Sequence, residues 1–254
     1  MIRIVAGLLA IAATLLMAPL HAAELKVVSA GAVRGLIAGM IDEYSRQTGH
    51  EFDFTVGTTG QLRVIIESGW PADLIIVSGA LMAELEKTGN LTPGSRADLG
   101  RIGIGVVVRE GAAAPDVSTP EAFKAALVAA KSVAYTDPTA GGTSGIYLTG
   151  VLDRLGIGDA VKQKAVLTAG GKETSEAVVK GEAEIGVTFI SEIIAVKGTK
   201  LVGPLPGPLQ DYTVYAAAIP KASTDPTNAR AFVSSLISPA MAPRWKAAGF
   251  EPPK

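Results

Sequence analysis

Four loops in this chain place small and hydroxyl-bearing residues where a strand-like run gives way to a helix-like one. They are Ser29-Ala30-Gly31-Ala32, Gly57-Thr58-Thr59-Gly60, Gly141-Gly142-Thr143-Ser144 and Gly170-Gly171-Lys172-Glu173-Thr174. A helix start presents unpaired backbone N–H groups and the positive end of the macrodipole, so each loop suits an anion. Glycine and alanine let a ligand approach the backbone, and serine or threonine adds an O–H donor. Two of the loops lie in each half of the chain, which points to a cleft that grips a small anion between them. Arg34, Arg63 and Lys172 stand beside these loops. A guanidinium can clamp a carboxylate in a bidentate way, but Arg34 and Arg63 are equally explained by a solvated side chain or an ion pair on their own helices, and Lys172 is better explained as a solvated loop charge. Two carboxyls in the loops, Asp137 and Glu173, could serve as a base. Asp137-Pro138 is also a common turn pair, and Glu173 suits a helix first turn.

Other chemistries are poorly served. No Gly-x-Ser-x-Gly elbow surrounds Ser144 and no triad histidine is at hand. Gly141-Gly142-Thr143-Ser144-Gly145 lacks the lysine of a phosphate-binding P-loop. The chain has two histidines and no cysteine, so neither a metal cluster nor a disulfide is expected, and no cofactor. His50 is expected at the surface. Basic and acidic residues nearly cancel, 23 against 24, with no basic stripe, which argues against nucleic acid as a partner.

Met1-Ile2-Arg3, the apolar run Ile4 to Leu20 and the pair Ala22-Ala23 read as a secretory signal peptide over residues 1–23. A membrane anchor is the competing reading, since the apolar run comes close to spanning length. Cleavage would leave about 230 residues, enough for one large domain or two small ones. In that remainder strands and helices alternate. Strands are expected at Leu25–Ser29, Glu51–Val56 and Asp73–Val77, with helices at Gly35–Thr48, Gln61–Ser68 and Ala80–Lys87. The order restarts after Arg101–Val108, with strands at Ser132–Tyr135, Ala165–Thr168 and Glu184–Phe189. Helices are expected at Glu121–Lys131, Gly145–Leu155, Glu173–Lys180 and Ser191–Val196. Such alternation argues parallel sheets with helices on both faces, and all four loops then lie beyond the carboxyl ends of strands. Asp73, at the head of a buried strand, is expected to accept backbone N–H groups. The runs Gly103–Val108 and Thr213–Ala217 could carry the chain out of a first lobe and back again. A single doubly wound domain with long loops is the alternative.

Several segments, in order, resemble the periplasmic molybdate-binding proteins of ABC transporters. They are Ser29-Ala30-Gly31-Ala32, Thr58-Thr59-Gly60-Gln61-Leu62, Gly69-Trp70-Pro71-Ala72-Asp73-Leu74, Thr136-Asp137-Pro138 leading to Gly145-Ile146-Tyr147, Gly186-Val187-Thr188-Phe189, and Arg244-Trp245-Lys246-Ala247-Ala248-Gly249-Phe250. The resemblance implies an α/β, two-lobed type II periplasmic-binding-protein fold, with mixed sheets flanked by helices and the ligand held between lobes. The lobes would comprise residues 24–104 with 216–254, and 105–215. It further implies a periplasmic monomer that passes a small anion, molybdate or tungstate, to a permease in the inner membrane. Ligand contacts would fall at Ala32, Arg34, Thr58, Thr59, Ser144, Thr174 and Phe189. Two of these depart from the family pattern: Ala32 stands where a serine is expected and Phe189 where a tyrosine is expected, so two donors are altered. The same superfamily includes an aconitate isomerase, so a binder or isomerase of a small di- or tricarboxylate is the alternative. Asp137 or Glu173 would then move the proton.

Overall fold

The computed structural model describes residues 24–253; the expected signal peptide lies outside them. Among the described residues, nine strands and ten α-helices follow in chain order. The first group is β1 (Glu24–Ala30), α1 (Arg34–Thr48), β2 (Glu51–Gly57), α2 (Thr59–Glu67), β3 (Leu74–Ser78) and α3 (Gly79–Lys87). The long strand β4 (Ala97–Arg109) leads into α4 (Pro120–Ala129), β5 (Val133–Thr136), α5 (Thr143–Arg154), α6 (Gly158–Lys162) and β6 (Ala165–Thr168). The chain continues through α7 (Gly171–Lys180), β7 (Ile185–Phe189), α8 (Ile190–Ile194), β8 (Thr199–Pro204) and β9 (Tyr212–Ala218), and ends with α9 (Pro226–Leu236) and α10 (Ala242–Ala247).

The strands lie in the order β2-β1-β3-β9-β4-β7-β5-β6, with β8 also on β4. Parallel pairing holds where strand and helix alternate, among β1, β2 and β3 and again among β5, β6 and β7. The strands that cross between these groups are antiparallel: β9 on β3 and on β4, and β4 on β7 and β8. The expected parallel sheets are thus two parallel cores joined by antiparallel return strands. None of these antiparallel pairs is a hairpin: each joins strands that are far apart in the chain, with helices between them. The strand β8 and the helix α6 were not anticipated. The first sits in a stretch whose prolines and glycines read as a break, and the second is little more than one turn.

Strand β4 serves both parts of the sheet. Ala97 to Gly103 pair with β9, whereas Ile104 to Val107 pair with β7. At the change of partner the Gln210 carboxamide completes the backbone pairing. Its Oε1 accepts from Ile104 N–H at 3.0 Å and its Nε2 donates to Ile104 O at 2.8 Å. A side chain therefore supplies the ladder bonds that neither strand can give at the bend.

Local chemistry sets the helix starts. Thr58 and Gln61 form a capping box on α2, and Thr119 and Asp225 cap α4 and α9 ahead of a proline at the first helical position. Asp73 has the expected acceptor role. It takes N–H groups of Lys26, Thr224 and Asp225 and the hydroxyls of Ser223 and Thr224, at 2.7 to 3.1 Å. Burial works to raise its carboxyl, but these donors outweigh it and hold the group below the ordinary aspartate value. His50 corrects an expectation: it is buried and stacks on Tyr44, 6.1 Å between ring centroids. The left-handed Gly49 that ends α1 turns the chain back over its own helix, which a reading of polarity alone does not capture.

Candidate ligand-binding site

The four small-residue loops converge on one cavity of about 180 Å³, at the carboxyl ends of β1, β2, β5 and β6. Its wall includes Gly31 and Ala32 from the first loop, Thr58 and Thr59 from the second, Thr143 and Ser144 from the third, and Gly170, Gly171, Lys172 and Glu173 from the fourth. Elements at the two ends of the sheet order meet here because β4 and β9 carry the chain across and back.

The loops also touch one another. Thr58 Oγ1 donates to Ala140 O at 2.5 Å, Gly60 N–H donates to Gly141 O at 3.1 Å, and the Thr59 and Thr143 hydroxyls lie 2.9 Å apart. Gly60 and Gly141 pass so closely that a Cβ on Gly141 would lie 2.5 Å from the Cα of Gly60. On another edge, Ser191 Oγ donates to Ala32 O at 2.7 Å.

These contacts redistribute the expected donors. The Thr58 hydroxyl gives its proton to Ala140 O and accepts from Gln61 N–H, so its donor capacity is used inside the protein. Thr174 is fully buried, bonded to Thr168 Oγ1 and Gly170 O, and stands behind the cavity wall. Ala32, Arg34, Thr59, Ser144 and Phe189 do line the cavity. In the Thr59–Thr143 pair one hydroxyl donates to the other, which leaves one O–H to face a ligand. Replacing Thr59 by valine removes that arrangement. The expected result is about fivefold weaker binding of any anion, from the loss of roughly 1 kcal/mol of hydrogen bonding, measured by calorimetry with molybdate and with cis-aconitate.

The charged candidates separate. Arg63 pairs with Glu84 and lies 3.7 Å from Glu67, away from the cavity. Lys172 reaches Glu176 at 2.8 Å and, with a weaker contribution from Arg34, holds that carboxyl below its ordinary value. Arg34 and Lys172 both stand on the cavity rim. Asp137 accepts from the N–H and hydroxyl of Thr139, at 2.8 and 2.7 Å, and does not line the cavity. It serves the turn. Glu173 lines the cavity but is exposed.

Two further side chains in the wall escaped the sequence reading. Glu192, in the first turn of α8, is buried with its carboxyl on the cavity. Its Oε2 accepts from Thr188 Oγ1 at 2.8 Å, and its carboxyl also takes the N–H groups of Phe189 and Gly171. A Cβ on Gly171 would lie 1.8 Å from Oε2, so only glycine lets the start of α7 close on this carboxyl. The fourth of the expected anion sites is therefore filled by the protein's own carboxyl group. Burial drives that group up to about 7; the Thr188 hydroxyl and the two N–H groups oppose the rise, and Glu173 adds to it. Its other oxygen, Oε1, lies beside Gly31, 3.2 Å from where a Cβ on that glycine would stand. Tyr215, from β9, is buried beside it, its ring 6.1 Å from that of Phe189. Burial and the nearby Glu192 push its phenol well above the ordinary tyrosine value. A phenolic group thus reaches the cavity from a different strand than the one where Phe189 replaces it. The Thr136 hydroxyl, also in the wall, is buried without a protein partner. A first-turn glutamate four residues after a threonine was the available sign of Glu192, but it reads equally well as an ordinary acid at the positive end of a helix dipole.

A sheet that changes partners along one shared strand, with helix starts meeting over its centre, is the arrangement of type II periplasmic binding proteins. The chain belongs to the bacterial extracellular solute-binding protein family, whose sequence pattern it matches over residues 25–251. It is 33% identical over 252 residues to an aconitate isomerase of a Pseudomonas species, covering 97% of this chain and 94% of the relative. It is 29% identical over 258 residues to a molybdate-binding protein of Azotobacter vinelandii, covering 96% and 94%. Among solved structures, the periplasmic molybdate-binding protein of A. vinelandii superposes with a TM-score of 0.76 at 24% identity, over 91% of this chain and 100% of the other. The sulfate-binding protein SubI of Mycobacterium tuberculosis gives 0.71 at 19%, over 91% and 87%.

Proposed function

We propose that this protein captures a small polycarboxylate of the aconitate class in the bacterial periplasm, between one lobe of residues 24–104 with 216–254 and another of residues 105–215. One observation carries the reading: the Glu192 carboxyl occupies the helix start that a tetrahedral oxyanion would otherwise share. A doubly charged oxyanion placed against it meets either a buried negative charge or a group that must first take up a proton. An extended polycarboxylate can instead set its carboxylates against the remaining helix starts and the rim cations Arg34 and Lys172. The likeness to an aconitate isomerase supports the same class.

The second reading is a molybdate or tungstate receptor that delivers its ligand to an ABC permease. It is favoured by the helix starts around Ala32, Thr59 and Ser144 and by the likeness to the A. vinelandii protein. Parallel calorimetric titrations with cis-aconitate and molybdate separate the two. Tight binding of cis-aconitate with weak or absent molybdate binding is expected; the reverse moves the protein to the oxyanion receptors. Arg34→Ala should weaken cis-aconitate about tenfold, the scale of one charge-assisted hydrogen bond, and leave any molybdate affinity within about twofold. Equal losses for the two would remove Arg34 from the argument.

A further inference from the structure

We propose that Glu192 is a catalytic acid–base residue that shifts a double bond within a bound polycarboxylate, so that the cleft turns its ligand over as well as holding it. This rests on the carboxylate reading above. Glu192 is a buried carboxyl in the cavity wall, with Oε2 anchored by Thr188 and Oε1 beside Gly31, another residue of that wall. Thr188 Oγ1 holds Oε2 at 2.8 Å, the N–H groups of Phe189 and Gly171 bind the carboxyl, and Oε1 lies 3.2 Å from where a Cβ on Gly31 would stand. A purely structural cap needs neither the burial nor a place in the cavity wall. The other carboxyls suggested for this task are less suited: Asp137 is committed to its turn and Glu173 is exposed.

The step balances within the ligand and this one side chain. The Glu192 carboxylate takes a proton from the methylene carbon of cis-aconitate, and the C–H electron pair becomes the new C=C bond. The former π pair takes the proton back from the Glu192 carboxylic acid at what was the vinyl carbon. No electrons leave the ligand and no co-reactant is required. Between the two transfers the negative charge spreads onto a ligand carboxylate, where the helix-start N–H groups near Thr59 and Ser144 can stabilise it. A carboxyl near 7 can both take and return a proton at neutral pH, the condition for a single group to do both jobs. The other ionisable groups around the cavity are Glu173 and Lys172 on α7, Arg34 on α1 and Tyr215 on β9.

The test follows cis-aconitate by proton NMR in D2O with the purified protein. Deuterium should enter the methylene and vinyl positions as trans-aconitate accumulates. Glu192→Gln should bind cis-aconitate within about threefold by calorimetry yet exchange at least about 100-fold more slowly, and Glu192→Asp should recover part of the rate. Asp137→Asn, at a turn outside the cavity lining, should exchange normally. The wild-type rate should rise with pH through about 7. Binding without exchange in the wild type, or undiminished exchange in Glu192→Gln, overturns the inference. If Glu192→Gln does not fold, the Asp137→Asn rate and the wild-type pH profile decide: loss of exchange in Asp137→Asn, or a flat profile, assigns the chemistry elsewhere. No calorimetric binding of cis-aconitate by the wild type sinks the carboxylate reading and this inference together.

Discussion

Replacing Gly145 by alanine is expected to destabilise the protein by about 3 kcal/mol or more, the upper range for forced overpacking, and to abolish anion binding. In an ordinary helix the same change would stabilise by up to about 1 kcal/mol, because glycine is the poorer helix former. The clash decides the sign here. A Cβ on Gly145 would stand 1.9 Å from Thr136 O, a backbone atom of the strand that delivers the third loop. No side-chain rotation relieves a contact with backbone. Either α5 moves off β5 or the loop between them rearranges, and both remove Thr143 and Ser144 from the cavity. Thermal unfolding should drop by roughly 10 °C, at 2–4 °C for each kcal/mol in a chain of this size. Gly150 is the internal control, since on the same helix its added Cβ would meet only Arg154 Nη1, at 3.9 Å. Gly150→Ala should be neutral to stabilising. Equal melting temperatures for the two variants would show that the β5–α5 junction has slack that the close approach denies.

The second large effect belongs to pH. Glu192 has a carboxyl raised from 4.5 to about 7 in the folded protein. The folded state therefore binds this proton more tightly than the unfolded chain does. The stability tied to it is fully present below about 4.5, falls as pH rises through the window between 4.5 and 7, and levels off above about 7. At about 1.4 kcal/mol for each pKa unit, the loss across that window is on the order of 3 kcal/mol. Chemical denaturation of the ligand-free protein at pH 5 and pH 8 should show this fall, and Glu192→Gln should abolish that share of it. A wild type and variant with parallel pH dependence would mean that water reaches the carboxyl and relieves its burial. The same linkage reaches the ligand: if an anion binds beside a protonated Glu192, its affinity should increase as pH falls through 7.

The strand-and-helix alternation was legible because it is local. Periods of two and of about three and a half, punctuated by Gly49, Gly69 and Pro71, place β1 to α3 within a few residues of their observed bounds. Where the chain breaks that grammar, legibility fails. The prolines around residue 204 hide β8, which pairs on the outer edge of β4 where only part of the ladder must be made.

Residue types at strand ends were likewise enough to mark the four loops, to set Arg34, Thr59 and Ser144 on one cavity, and to show that Ala32 and Phe189 lack donors. Tertiary structure alone decided how the remaining groups are used. Thr58 spends its hydroxyl on Ala140, 82 positions away, and Ser191 bonds Ala32, 159 positions away. Tyr215 brings a phenol from the return strand, and Glu192 fills the anion site at Gly171. The physical reason is common to all of them. A helix start offers the same N–H groups whatever faces it, and only the fold determines whether that partner is a ligand or the protein's own carboxyl.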